Sequence, residues 1–186
     1  TNKRGFRGRR DFSAEKQPGK TRILLIGDSF TFGEGVSDWE TYATQLQRMR
    51  PQTEIINLGM HGYSHDQMLI LLREEGSRLH PDIVILGFVY DNTERSLLEF
   101  SDCTKPRFLL GADGELTLTN SPVPKPESII GWHWLNPKLL DFLEIAWKRA
   151  GYGYSVSHKW DKHHLTRAIL REIADTVVEA GANPLF

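Results

Sequence analysis

The sequence predicts an α/β fold, a three-layer α/β/α sandwich whose mostly parallel sheet lies between helices. Short segments rich in branched apolar residues recur along the first half of the chain, and helical patterns separate them. In the first segment, Ile23 to Ile26, the apolar residues are consecutive rather than alternating, which is typical of a strand covered on both faces. Right-handed crossovers between such strands give a doubly wound, flavodoxin-like sheet.

Composition and charge are those of one globular domain spanning residues 1–186. The chain is 39% hydrophobic and 25% charged, with a formal net charge of −1. This charge balance lacks the excess of basic residues that is typical of nucleic-acid binding. No apolar run approaches the roughly 18 residues of a membrane span. The single cysteine, Cys103, excludes an internal disulfide and argues against a structural zinc site.

Residues 1–20 are predicted to be a polar, basic extension of this domain. Lysine and arginine residues are frequent in its first ten positions. The segment lacks both an initiating methionine and the apolar core of a signal peptide. Any signal or membrane anchor is therefore expected upstream of Thr1.

The first predicted strand ends abruptly in Gly27-Asp28-Ser29. Gly27 permits a sharp exit that a larger residue would obstruct. Open α/β sheets carry their chemistry at the carboxyl ends of the strands, so Ser29 is the first candidate nucleophile. The Asp28 side chain is expected to bond local backbone amides and to fix the loop of the serine.

The alternation of helix and strand continues through the next segments. Helical spacing of apolar residues covers Asp38 to Met49, and a second strand follows at Thr53 to Asn57. Ser64-His-Asp-Gln67 has the form of a capping box, which predicts a helix running to about Leu79. Pro81 then introduces a third strand, Asp82 to Gly87.

Residues 101–135 are predicted to be an insertion over the edge or mouth of the sheet. The insertion contains a small hairpin, with strands at 107–110 and 115–118 around a Gly/Asp turn. Trp132, His133 and Trp134 are expected to pack within it, although aromatic side chains at a cleft rim also stack on sugar rings.

The last part of the chain is predicted to be helical before it returns to the sheet. Asn136-Pro137 is a favourable helix start, because asparagine caps and proline suits the first helical position. A final helix is expected from about Asp161 to Ala180, and Asn183 to Phe186 is interpreted as the opening of a fourth core strand. The fold is thus expected to be cut short at its carboxyl end.

Three motifs together resemble the SGNH (GDSL-type) hydrolase superfamily. They are Gly27-Asp28-Ser29 after the first strand, Asn57 through Gly62 after the second, and Gly87 through Asn92 after the third. The stretch Phe30-Thr-Phe-Gly33-Glu-Gly-Val36 is similar to bacterial members that often carry an upstream membrane anchor. The resemblance covers about residues 1–100, and it favours an extracytoplasmic or membrane-anchored location over a cytoplasmic one.

The resemblance implies ester hydrolysis or acyl transfer by the Ser29 hydroxyl. It implies an oxyanion hole built from the backbone amides of Ser29 and Gly62, together with an asparagine side chain from the third motif. Gly62 takes this role by its place five residues after Asn57, and Gly59 is the less favoured alternative. No metal and no organic cofactor is expected.

The third motif departs from the pattern of the superfamily. Members carry Gly-x-Asn-Asp, whereas this chain has Gly87-Phe-Val-Tyr-Asp-Asn-Thr93. A shift of three residues puts Asn92 in the place of the donor. Asp91 is the alternative, but a carboxylate would repel a forming oxyanion unless it were protonated.

The position of the general base is left open. Members of the superfamily carry Asp-x-x-His after the last core strand, so the base is expected beyond Phe186. Asp161-Lys-His-His164 matches those letters, although it precedes a long predicted helix. His61 and His65 flank Gly62 and are interpreted as ordinary surface residues or, alternatively, as residues lining a substrate pocket, rather than as zinc ligands.

The predicted function is that of a serine esterase acting on a small acyl ester, such as an O-acetyl group, of a small molecule or carbohydrate. One alternative is an O-acyltransferase that modifies a cell-surface polysaccharide. A second is an inactive binding module that keeps the fold. The sequence does not identify the acyl and alcohol parts of the substrate, because a fold does not define them.

Overall fold

The computed structural model describes residues 1–8, 11–101, 103–124 and 159–186, together with 143, 146 and 147. The helix start predicted at Asn136-Pro137 lies outside the described residues. So do the aromatic segment Trp132 to Trp134 and the second half of the predicted insertion.

Six strands occur in the described part of the chain, and four of them form one parallel sheet. The strands are β1 Thr21–Ile26, β2 Thr53–Asn57, β3 Ile83–Leu86, β4 Arg107–Leu110, β5 Leu116–Thr119 and β6 Asn183–Leu185. The parallel sheet has the order β2-β1-β3-β6. Its register pairs Leu24 of β1 with Ile56 of β2 and with Val84 of β3. The fourth core strand predicted at the end of the chain is confirmed, since β6 pairs in parallel with β3.

The described helices connect these strands. They are α1 Ser29–Phe32, α2 Tyr42–Met49, α3 His65–Leu71, α4 Asn92–Arg95 and α5 Lys159–Glu179. After α3 the chain continues through a π turn at 72–76 and a 3-10 turn at 77–79, so the predicted run to Leu79 is confirmed. Helix α2 begins later than predicted, because the Thr41 side chain caps it by accepting a bond from the Thr44 amide.

The sheet is covered on both faces, as the consecutive apolar residues of β1 predict. Alternate residues of the sheet, among them Leu24, Ile56 and Val84, face helices α3 and α5 in the larger core. The opposite face carries Ile23 and Leu25, which pack in a smaller cluster with Ala43 of α2. The three-layer α/β/α architecture is therefore confirmed.

The hairpin of β4 and β5 forms at the predicted place. Strand β4 contacts α3 and α5. The placement of the whole insertion over the edge or mouth of the sheet stays a prediction. Buried Phe108 joins the larger core. The Lys105 ammonium forms a buried ion pair with the Asp66 carboxylate of α3. The contact between Lys105 and Asp66 joins residues 39 positions apart in the chain.

The amino-terminal extension is part of the packed fold rather than a solvated tail. Phe6 is only 5% exposed and belongs to the larger core. The Arg22 guanidinium is fully buried, bonds Glu54 at 2.8 Å, and donates to the backbone carbonyls of Ala14 and Glu15. In the described residues, no helix is both long and apolar enough to cross a membrane.

Candidate active site

Ser29 lies where strand β1 meets helix α1. It is the first residue of α1 and is half-buried. A Cβ atom on Gly27 would lie 2.0 Å from the Thr31 hydroxyl oxygen, so the chain can turn here only with glycine. Asp28 caps the helix, its Oδ1 accepting a 3.0 Å bond from the Phe30 amide, which confirms the local role predicted for Asp28. The serine is thus presented at the carboxyl edge of the sheet.

The loop after β2 packs against the helix that carries Ser29. Asn57 Nδ2 donates to the Thr31 carbonyl at 2.7 Å, and its Oδ1 accepts from the Gly59 amide at 2.9 Å. A Cβ atom on Gly59 would lie 2.4 Å from the Phe32 nitrogen. Gly59 is therefore required for close backbone packing, which gives this glycine a structural role.

Gly62 occupies the other end of the same loop in a left-handed conformation. Its φ of 74° favours glycine, because side chains with a Cβ atom are strained there. In the described part of the chain, the backbone amides of Gly62 and Ser29 donate no hydrogen bond. Two unpaired N–H groups on neighbouring segments are the donor type that an oxyanion hole requires.

The third motif reaches the loop of the serine through Asn92. Its Nδ2 donates a 2.8 Å hydrogen bond to Oδ2 of Asp28, and both side chains are buried. Asp91, by contrast, is exposed. The structure thus brings Asn92 to the predicted site, where its amide holds the capping carboxylate. Its role as a direct oxyanion donor stays a prediction.

The structure buries His65, which corrects the interpretation of this histidine as a surface residue. The residue is fully buried, and its ring stacks on Phe88 with centroids 4.9 Å apart and an interplanar angle of 11°. Neither ring nitrogen has a partner among the described residues. Burial lowers the pKa of the imidazole to about 4, although the negative charge of Asp28 opposes this shift. His65 is consequently a neutral packing residue at neutral pH.

His61, which precedes Gly62, is exposed at the same edge of the sheet. Its Nδ1 lies 2.8 Å from Oε2 of Glu34, a residue just beyond the end of α1. The Glu34 amide in turn donates to the Ser29 carbonyl at 3.0 Å. The sequence placed His61 near the site but gave no signal for this partner, because the two residues are 27 positions apart.

His164, the alternative base of the sequence analysis, lies within helix α5 and is exposed. The side chain of Asp161 lies outside the described residues. The start of α5 adjoins the third motif: Lys162 Nζ is 2.8 Å from Glu94 Oε1, and the His163 ring lies 6.2 Å from that of Tyr90. The assignment of His164 as base stays a prediction.

A separate cavity of about 240 Å³ lies on the α2 side of the sheet. Its lining includes Arg7, Thr44 and Ile56, and Ser29 is not part of it. This cavity lacks the candidate nucleophile and the unpaired amides. Within the described residues, no group of three or more His, Cys, Asp and Glu side chains is placed to hold a metal ion.

No protein-family model matches the sequence, and no curated protein matches it. Solved structures do. The chain is similar to the SGNH-hydrolase family esterase AlinE4, at 23% identity over 43% of this chain and 46% of AlinE4, with a TM-score of 0.35. It is similar to TesA at 12% identity, over 88% of this chain and 77% of TesA, with a TM-score of 0.38. It is also similar to the acetyl xylan esterase AlAXEase at 16% identity, over 88% and 75% of the two chains, with a TM-score of 0.35.

All three similarities lie below 25% identity, and the match spans less than half of AlinE4.

Proposed function

We propose that this chain is a serine ester hydrolase of the SGNH type that acts on small acyl esters, such as O-acetyl groups. The observation that carries the proposal is the placement of Ser29. Ser29 begins the helix that follows β1, at the carboxyl edge of a parallel sheet and on the segment against which the loop after β2 packs. The amides of Ser29 and Gly62 are both unpaired in the described part of the chain.

In the proposed reaction, the Ser29 oxygen attacks the ester carbonyl carbon while a general base accepts the hydroxyl proton. The carbonyl oxygen becomes an oxyanion, to which the Ser29 and Gly62 amides donate. The carbon–oxygen bond to the alcohol then breaks, the alcohol leaves with a proton, and an acyl-serine remains. Water repeats the sequence and releases the acid, which restores the Ser29 hydroxyl.

The proposed oxyanion hole draws two donors from the backbone. Because a single donor is worth roughly 100-fold to 1000-fold in rate, two amides supply useful stabilisation without a third. Asn92 supports the hole by holding Asp28, whose other oxygen fixes the first turn of α1. Asn92 is also proposed as the third donor, through the second proton of its Nδ2 atom.

The test is the hydrolysis of p-nitrophenyl acetate by the wild-type chain and by Ser29→Ala. Ser13→Ala is the matched control, because Ser13 is exposed in the amino-terminal extension. We expect Ser29→Ala to lose at least about 1000-fold in kcat/KM and Ser13→Ala to keep the wild-type value. Equal rates for Ser29→Ala and wild type would refute the proposal.

The same assay distinguishes the hydrolase from an acyltransferase and from an inactive binding module. Addition of a carbohydrate acceptor leaves the rate and the products of a hydrolase unchanged, whereas a transferase forms an acylated sugar. A binding module shows no turnover that depends on Ser29. The detection of acetyl-Ser29 by mass spectrometry after a brief reaction would add direct support for the covalent step.

A further inference from the structure

Helix α1, which begins with Ser29, is a single turn of four residues. A helix of one turn is not stable by itself, because its formation fixes several backbone dihedrals for very few hydrogen bonds. The conformation of Ser29 therefore depends on contacts from outside the helix. The Asp28 side chain supplies one such contact at the start of α1. The loop that follows α1 supplies others at its end.

This loop, at 33–38, is bonded directly to Ser29. The amides of Gly33 and Glu34 both donate to the Ser29 carbonyl at 3.0 Å. The Val36 amide donates in turn to the Gly33 carbonyl at 3.4 Å. A displacement of the loop would therefore shift the Ser29 backbone, and with it the amide that is proposed to donate to the oxyanion.

Arg7 of the amino-terminal extension holds the same loop through its guanidinium group. Nη2 donates to the Val36 carbonyl at 2.6 Å, and Nε lies 2.9 Å from Oδ1 of Asp38. The guanidinium carbon lies 4.9 Å from the centroid of the Phe32 ring, which is a cation–π distance. Because the Arg7 side chain is only 15% exposed, solvent screens these contacts weakly. A continuous series of contacts thus leads from Arg7 to Ser29.

The extension presents Arg7 on a turn that is itself fixed. Oδ1 of Asn2 accepts hydrogen bonds from the amides of Arg4 and Phe6, both at 3.0 Å. Gly5 lies between these two residues with a φ of 84°, a conformation that favours glycine. Phe6, the neighbour of Arg7, is buried in the larger core. Arg7 therefore reaches the loop at 33–38 from an anchored backbone.

We propose that Arg7 is a positioning residue for Ser29; this assignment rests on the proposed esterase function. The guanidinium of Arg7 holds the loop at 33–38, and the loop holds the Ser29 carbonyl. The Ser29 hydroxyl and amide thereby keep the alignment that attack on the ester requires. Misplacement of a reacting group by about 1 Å costs about 100-fold in rate, so a small displacement of this loop is sufficient to lower kcat.

The test compares Arg7→Met with Arg4→Met in the hydrolysis of p-nitrophenyl acetate, with kcat taken per folded molecule. Arg4 is the matched control, because it lies on the same turn but forms its ion pair with Glu75, in the turn after α3. We expect Arg7→Met to lose at least about tenfold in kcat with KM nearly unchanged, because alignment rather than substrate contact is lost. Arg4→Met should keep the wild-type kcat.

Hydrogen exchange of peptides that span 29–38 measures the loop without catalysis. In Arg7→Met we expect the amides of Gly33, Glu34 and Val36 to exchange at least about tenfold faster, because the loop opens more often. Exchange in Arg4→Met should match the wild type. Arg7→Lys should lie between the wild type and Arg7→Met in both exchange and kcat, because one ammonium replaces only part of the guanidinium contacts.

The outcomes separate this assignment from the esterase proposal itself. If Ser29→Ala is inactive while Arg7→Met keeps the wild-type kcat, Arg7 has a structural role only and the esterase function stands. Equal losses of kcat in Arg7→Met and Arg4→Met would also overturn the assignment, since the effect would belong to the extension as a whole. So would a rise in KM alone, or a loss of kcat without faster exchange at 33–38. If Ser29→Ala equals the wild type, both proposals fail.

Discussion

Nδ2 of Asn92 donates a 2.8 Å hydrogen bond to Oδ2 of Asp28, and this bond joins the exit of β3 to the exit of β1. Both side chains are buried, and Asp28 uses its other oxygen to cap α1 at the Phe30 amide. Within the described residues, each oxygen of this carboxylate thus has a protein donor. The conformation of the Ser29 turn therefore depends on a residue 64 positions away in the chain.

Replacement of Asn92 by leucine should destabilise the fold. The substitution leaves Oδ2 of Asp28 buried without its donor, and a buried unsatisfied polar group costs about 1–3 kcal/mol. We expect a loss of that size in the free energy of unfolding, measured by urea titration. Asp91→Ala, at the exposed neighbour, should stay within about 0.5 kcal/mol of the wild type. Equal stability of Asn92→Leu and wild type would show that the Asp28–Asn92 bond is dispensable.

The buried imidazole of His65 should make stability depend on pH. Its pKa is about 4 in the fold and about 6.5 in the unfolded chain, so the unfolded state binds the proton first as pH falls. The contribution of His65 to stability is therefore full above about pH 6.5 and is lost progressively down to about pH 4, by about 3 kcal/mol. The check is urea unfolding across this range for the wild type and for His65→Phe, whose stability should fall less.

His80→Asn is the control for this pH dependence. His80 is exposed and has a φ of 48°, a left-handed conformation that asparagine tolerates well. This variant should lose stability toward acid as steeply as the wild type does. Parallel pH curves for His65→Phe and the wild type would contradict the assignment of the effect to His65.

Lys105→Met should cost far more stability than the loss of a surface ion pair. The substitution strands the Asp66 carboxylate, which is fully buried, and breaking such a pair costs about 3–5 kcal/mol. Lys16→Met is the matched control, because Lys16 and Asp82 are each more than a third exposed and such pairs contribute about 1 kcal/mol or less. Guanidinium unfolding of both variants measures the difference, and similar losses would argue against a dominant effect of burial.

Phe6→Ala should show that the amino-terminal extension belongs to the core. Phe6 is buried among core side chains, and truncation of a buried phenylalanine costs about 3 kcal/mol or more. Phe30→Ala is the control, since Phe30 is 75% exposed, and it should change the unfolding free energy by less than about 0.5 kcal/mol. The melting temperature should fall clearly in Phe6→Ala only. An unchanged melting temperature in that variant would mean that residues 1–20 are dispensable.

The strands and helices were the part of this fold most open to prediction from sequence. Consecutive apolar residues in β1 identify a strand covered on two faces, and Ser64 with Gln67 marks the start of α3. The predicted start of α2 was too early, because the Thr41 side chain caps this helix. These signals are local, because hydrogen-bonded caps and apolar periodicity involve residues only a few positions apart.

The sequence predicted where the site residues lie relative to the strands. It did not predict which residues surround them. The pattern of a strand followed by Gly27-Asp28-Ser29 predicted where Ser29 would stand. The same reasoning favoured a surface position for His65, whereas the structure buries it beside Phe88. A histidine has similar sequence neighbours in both situations, so its burial depends on which distant segment covers it.

The sequence by itself determined the order of strands and helices, the glycine turn before Ser29 and the parallel α/β class, because each follows from short-range sterics and apolar patterning. Only the tertiary structure decided that Asn92 holds Asp28, that Glu34 meets His61, and that Asp66 pairs with Lys105. These contacts join polar groups on segments far apart in the chain. Their energies depend on distance and burial, which exist only after the chain has folded.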